Sequence, residues 1–73
     1  MNEHAVNQGF DRLQRLLLDM HAGDELRAEE AANRSGLSRD MCVAVLEGLA
    51  RVGLMSHEAD DRFVRRHLDP IGV

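Results

Sequence analysis

A tight turn between two helical segments constrains the fold of this chain more than any other feature. Gly36 interrupts the helical pattern, and glycine adopts the left-handed backbone of such a turn without steric cost. The hydroxyl of Ser38 is placed to cap the helix that follows, and Gly53 marks the end of that helix. The pattern therefore predicts a short helix near 28–35, a turn, and a second helix near 39–52.

A wider apolar pattern precedes this pair of helices. Apolar residues recur at spacings of three and four between Val6 and Met20, which predicts a helix near 8–21 with one buried face. Leu16 and Leu18 flank that face and widen the apolar arc. The arc fits either a central helix covered from two sides by its own domain or a helix that packs against another chain. Because so short a chain has a small core, we expect a homodimer with Leu16 or Leu18 at its interface.

The period of the apolar pattern changes after Gly53. Two short runs in which apolar and polar residues alternate flank the turn-forming residues 58–61, which are polar. This pattern predicts a β-hairpin over roughly 54–67. The extended link at 25–27 is a candidate third strand. The sequence therefore predicts an α+β fold, mostly α, with three helices followed by a C-terminal hairpin.

A length of 73 residues allows a single domain, 1–73, and we expect frayed tails at 1–6 and 69–73. Cys42 is the only cysteine, which excludes an internal disulfide. We interpret it as a small buried hydrophobe and not as a nucleophile. The predicted core consists of the apolar side chains on the inner faces of the elements: Phe10, Leu13, Leu17, Cys42, Leu46, Leu49, Leu54 and Phe63.

Residues 26–55, and above all the run LEGLARVGLM that ends at Met55, resemble the core of bacterial winged helix-turn-helix transcription regulators. The tail DDRFVRRHLDPIG is similar to the wing end of the multiple-antibiotic-resistance regulator family, although it is slightly shorter than that pattern. The resemblance implies binding of double-stranded DNA, with helix 39–52 in the major groove and the hairpin, or wing, on the backbone. The nucleic-acid-binding residues that follow from this are Ser38, Arg39, Val43, Arg51, Arg62, Arg65 and Arg66.

The charge balance limits how such a chain could hold DNA. It has 13 acidic residues against 9 basic ones, all of them arginine, and a net charge of −4 with neutral histidines. Bulk attraction to phosphate is therefore absent, and we expect any DNA binding to be weak. The arginines of the predicted hairpin either contact phosphate or pair with Glu58, Asp60 and Asp61 of the same hairpin.

The exposed side of helix 39–52 supports a second hypothesis, in which the chain binds a protein and not DNA. Asp40 and Glu47 on that side would repel phosphate. Apolar or small residues recur there at spacings of three and four and form a strip suited to a partner helix. Together with the flank of the first helix, this strip gives the candidate partner-binding residues Met41, Ala44, Gly48, Leu16 and Leu18.

The sequence does not indicate other chemistry. The four histidines are dispersed and lack metal-ligand spacing, and there is no glycine-rich phosphate loop or carboxylate pair. We therefore expect no enzyme activity, no metal site and no cofactor. The N-terminal residues lack the basic region followed by an apolar run that is typical of a signal peptide. No apolar run approaches the ~18 residues of a membrane span. With a single cysteine, these features predict a cytoplasmic protein.

Overall fold

A computed structural model describes residues 3–67 of the chain. Three helices and a three-stranded antiparallel sheet form an α+β fold that is mostly helical, as the sequence predicts. In chain order the elements are α1 (Glu3–Asp19), β1 (Glu25–Arg27), α2 (Ala28–Ser35), α3 (Arg39–Arg51), β2 (Met55–Ala59) and β3 (Arg62–Arg65).

The first helix begins earlier and ends earlier than the sequence pattern predicts. It starts at Glu3 and stops at Asp19. The predicted tail at 69–73 lies outside the described residues. Gly23, with φ at 93°, turns the chain back toward β1.

The turn between α2 and α3 has the predicted geometry. Gly36 adopts a left-handed φ of 85° and donates its N–H to the carbonyl of Ala32 at 2.9 Å, which ends α2. The hydroxyl of Ser38 accepts a hydrogen bond of 3.1 Å from the N–H of Met41 and caps α3. At the start of α2, Arg27 makes no side-chain cap, so that end is held by its neighbours in the sheet.

The end of α3 is closed by two nested backbone hydrogen bonds. The N–H of Gly53 donates to Ala50 at 3.1 Å, and the N–H of Leu54 donates to Leu49 at 2.9 Å. Gly53 has a φ of 87°. This is the pattern of a Schellman motif, which satisfies carbonyls that a helix end would otherwise leave open. Leu54 therefore belongs to the turn, and the strand β2 starts one residue later.

The third strand in chain order, β3, occupies the centre of the sheet, in the order β1-β3-β2. Phe63 on β3 pairs with Leu26 on one side and with His57 on the other. The predicted third strand at 25–27 is thus confirmed. A β-bulge lies between His57 and Ala59, next to the turn in which Asp60 has a φ of 42°.

The core differs from the predicted one at its edges. Leu13, Cys42, Leu46 and Phe63 are buried as predicted, whereas Leu17, Leu49 and Leu54 are half-buried. The prediction for Phe10 is wrong, because its exposed fraction is 39%. The structure also buries hydrophobic residues that the predicted core does not name: Leu26, Ala28, Ala31, Leu37 and Met55.

Candidate nucleic-acid interface

The helix-turn-helix unit is fixed from inside by a buried serine. Ser35 is 1% exposed, and its hydroxyl accepts a hydrogen bond of 3.1 Å from the N–H of Leu37. The same oxygen lies 3.9 Å from the sulfur of Cys42. These contacts join the end of α2, the turn and the first turns of α3. The sequence pattern predicts Ser35 at the end of the first helix of the pair, but it does not reveal this role, which depends on the turn folding around the Ser35 side chain.

The first turn of α3 faces solvent. Ser38, Arg39 and Asp40 are exposed there, and Arg51 is exposed at the other end of the helix. Val43, a predicted nucleic-acid contact, is half-buried and packs against the core. Val43 therefore does not lie on the open face of α3. It lies next to the side of the helix that Cys42 and Leu46 turn toward the core.

Acidic and basic groups are mixed on the open face of α3. Arg39 and Arg51 lie near its two ends, while Asp40 and Glu47 are also exposed. Neither arginine forms an ion pair with another residue between 3 and 67. The face therefore has two available guanidinium groups but no continuous basic stripe.

The hairpin arginines fall into two groups. Arg62 on β3 pairs with Glu25 on β1 at 3.3 Å, and Arg27 on β1 approaches Asp61 at 3.9 Å. Arg62 therefore finds its carboxylate across the sheet and not among the acidic residues of its own hairpin. Because both side chains of the Arg62–Glu25 pair are widely exposed, this pair contributes only about 0–1 kcal/mol.

Arg65 and Arg66 lie at the end of β3 away from the acidic turn. The N–H of Gly23 donates to the carbonyl of Arg65 at 2.8 Å, and the N–H of Arg66 donates to Leu54 at 3.1 Å. Arg65 is half-buried and Arg66 is exposed, and neither forms an ion pair within the described part of the chain. The basic end of the hairpin thus lies beside the end of α3.

A histidine covers the core at the other end of the hairpin. The ring of His57 stacks on the buried ring of Phe63, with centroids 4.3 Å apart and an interplanar angle of 17°. Its Nε2 contacts the carbonyl oxygen of Asp60 in the turn. In the sequence, this histidine is one of four that are dispersed along the chain. Only the cross-strand pairing with Phe63 reveals its packing role.

The predicted partner-binding strip is broken up in the structure. Met41 and Leu16 are half-buried and pack against the core, so neither is a free surface residue. Ala44 is exposed, Gly48 is half-buried, and Leu18 is 71% exposed. The strip on α3 therefore reduces to Ala44 and Gly48.

An apolar groove between α1 and α3 is the more conspicuous hydrophobic surface. It has a volume of about 300 Å³. The groove lining comprises Phe10, Leu13, Gln14, Leu17, Val45 and Leu49. Helical spacing places Phe10, Leu13 and Leu17 on one face of α1, and the sequence pattern predicts that this whole face lies in the core. The groove exists because α3 leaves the Phe10 side of α1 uncovered.

Cys42 is unsuited to reactive chemistry. Burial raises the pKa of its thiol, and the hydrogen bond with Ser35 lowers it to a lesser extent. A raised pKa keeps the sulfur in the unreactive thiol form at neutral pH.

Within residues 3–67, no three potential metal ligands of the histidine, cysteine or carboxylate type lie together. None of the helices in this range has the length and apolar character needed to cross a membrane. Comparisons with protein-family models, with curated proteins and with solved structures gave no match to the chain.

Proposed function

We propose that this chain is a winged helix-turn-helix module that binds duplex DNA, as a transcriptional regulator or as part of one. In this proposal α2 and α3 are the helix-turn-helix, α3 is the recognition helix, and the β2–β3 hairpin is the wing. The observation that carries the proposal is the solvent-exposed first turn of α3, held by the Ser35 and Ser38 hydroxyls. Recognition helices contact base edges from their N-terminal residues.

The guanidinium groups that form no ion pair with residues 3–67 provide the phosphate contacts. Arg39 and Arg51 lie on α3, and Arg65 and Arg66 lie beside its end. Arg62 would have to exchange Glu25 for a phosphate. With so few contacts, affinity for random duplex is weak, and its salt dependence is shallow, with a slope of about −0.9 per phosphate contact. The net charge of −4 also removes long-range attraction to DNA.

The test is fluorescence anisotropy with random duplex DNA between about 50 and 200 mM salt. The Arg65→Ala/Arg66→Ala variant should lose most of the measured affinity, because these side chains contact the backbone and not the bases. The matched control is Arg27→Ala/Arg34→Ala, which removes the same charge from residues already paired with Asp61 and Glu30.

Equal loss in the two double variants would show that only total charge matters and would contradict the proposed interface. Tight binding at physiological salt that survives the Arg65→Ala/Arg66→Ala change would do so as well. Retained binding in the control with loss in the test variant supports the module as described.

The hairpin turn favours a second candidate function, a protein-binding winged helix. Glu58, Asp60 and Asp61 make this turn acidic, so it would repel the DNA backbone that a wing tip approaches. No detectable DNA binding at the lowest salt would support this second function. Ala44 and Gly48 would then be the first residues to substitute, because they remain on the open side of α3.

A further inference from the structure

We propose that Arg12 of α1 contacts a phosphate of the DNA strand that borders the first turn of α3, so that the first helix also forms part of the DNA-binding surface. This inference rests on the proposed function, because it adds a residue to the same surface. It is carried by the position of the Arg12 side chain beside the turn between α2 and α3.

Helix α1 lies against the turn between α2 and α3. Gly9 of α1 packs against Leu37 of that turn. Arg12 follows three residues later, and this helical spacing places it on the same side of α1. A β-carbon added at Gly36 would lie 3.8 Å from Nη1 of Arg12. The guanidinium group of Arg12 therefore lies beside the turn.

The Arg12 guanidinium group is available to an anion from outside the chain. The side chain is exposed, and it forms no ion pair with any residue in the described range 3–67. The residues of α1 at spacings of three and four from Arg12 are Gln8, Gly9, Arg15 and Leu16. None of them is acidic, so α1 offers no carboxylate one helical turn away that could neutralise this charge.

The turn connects the neighbourhood of Arg12 to the exposed start of α3. Gly36 comes two residues before Ser38, whose hydroxyl caps α3, and three residues before Arg39. Ser38 and Arg39 are both exposed. A guanidinium group can hold a phosphate through two parallel hydrogen bonds. Arg12 thus places such a group next to the part of α3 that the proposed function directs at DNA.

The charge balance of the first turn of α3 explains what Arg12 contributes. Arg39 and Asp40 are both exposed in this turn, and their charges cancel. Arg12 adds a positive charge from a different helix and gives the surface around the turn an excess of positive charge over this pair. Contacts to phosphate fix the orientation of a recognition helix on the duplex without reading its sequence.

Fluorescence anisotropy with random duplex DNA between about 50 and 200 mM salt tests the contact. Arg12→Ala should weaken binding by about three- to tenfold at the lowest salt. It should also make the slope of log affinity against log salt less steep by about 0.9. The loss should be equal for duplexes of different sequence, because every duplex carries the same phosphates. Arg12→Lys keeps the charge and should retain the slope of the wild type.

The matched control is Arg27→Ala. It removes the same charge at the opposite end of α2 from the turn, where the guanidinium group lies 3.9 Å from Asp61. This variant should bind DNA like the wild type. Circular dichroism and denaturation midpoints show whether each variant keeps its fold. NMR of the arginine Nε–H groups gives a second readout on the wild type, in which Arg12 should shift on addition of duplex DNA and Arg27 should not.

A folded Arg12→Ala variant with the affinity and salt slope of the wild type would overturn the inference. An equal loss in Arg27→Ala, or an Arg12 resonance that does not move at saturating DNA, would also overturn it. If Arg65→Ala/Arg66→Ala still loses affinity in the same experiments, the proposed function stands and only the Arg12 contact fails. A wild-type chain that binds no duplex at the lowest salt would overturn both.

Discussion

Leu37 lies directly against the α-carbon of Gly9, so that a β-carbon added at Gly9 would come within 2.6 Å of its Cδ2 and 2.8 Å of its Cγ. The carbonyl oxygen of Ser35 would lie 3.4 Å away. Gly9 is inside α1, where glycine costs about 0.5–1 kcal/mol relative to alanine. The close approach explains why glycine stands there, since it lets α1 pack onto the turn between α2 and α3.

Replacing this glycine should therefore lower stability. We expect Gly9→Ala to reduce the free energy of unfolding by about 1 kcal/mol, because overpacking at about 1–3 kcal/mol outweighs the gain in helix propensity. Chemical denaturation measures the change. Gly48→Ala in α3 is the matched control, since a β-carbon there has no neighbour within 4 Å, and it should stabilise the protein. A stabilising Gly9→Ala would contradict the close contact.

The centre and the edge of the core should respond differently to truncation. Leu46 is fully buried, whereas Phe10 is 39% exposed. We expect Leu46→Ala to cost about 2–5 kcal/mol, enough to unfold much of so small a domain. Phe10→Ala should cost less, although it removes a larger side chain. Thermal and denaturant unfolding compare the two, and a loss below about 0.5 kcal/mol for Leu46→Ala would show that it is not a core residue.

The cap of α3 allows folding and DNA binding to be separated. Ser38→Ala should cost about 1 kcal/mol, because the N–H of Met41 loses its acceptor. Ser38→Asp should keep the stability, since aspartate also caps helices, yet it places a negative charge on the proposed DNA-binding face. Denaturation and anisotropy on the same samples check both effects. Equal DNA binding by Ser38→Asp and the wild type would argue against contact at this turn.

Alkaline pH should reveal the burial of Cys42. Burial raises the pKa of its thiol, while the pKa of a cysteine in an unfolded chain is about 8.5. The resulting stabilisation is fully present below the unfolded pKa and is lost as the pH rises through the folded pKa. The chain has no tyrosine or lysine, so few other groups titrate in that range.

We therefore expect the stability of the wild type to fall more steeply above about pH 8.5 than that of Cys42→Ala. Denaturation midpoints across this range provide the measurement. Parallel pH profiles for the two proteins would show that the thiol ionises equally in the folded and unfolded states.

Local signals in the sequence were sufficient for the main elements. Gly36, Ser38 and Gly53 act through backbone geometry and hydrogen bonds to near neighbours, so their effects were predictable without knowledge of the tertiary fold. Phe10 shows the limit of periodicity, because its position on α1 is correct but burial depends on whether another helix covers it. Leu54 shows a related limit, because it was predicted as a core residue, whereas the Schellman motif uses it and leaves Met55 to face the core.

The charged part of the candidate interface could be predicted only in outline. The sequence left open whether the hairpin arginines pair with nearby acids, and the structure gives different answers for Arg62 and Arg66. Arg62 meets Glu25, which is distant in sequence, because β1 and β3 are neighbours in the sheet. Such pairings depend on strand order, which the charge pattern along the chain does not contain.

The strand order also determines when each part of the sheet can form during synthesis. Because β3 lies between β1 and β2, neither of those strands has a partner until residues 62–65 have left the ribosome. The helices rely on more local contacts and can form earlier. Until the last strand arrives, Leu26 and Met55 lack the Phe63 side of their core, and two unpaired strand edges remain open to chaperones and to other nascent chains.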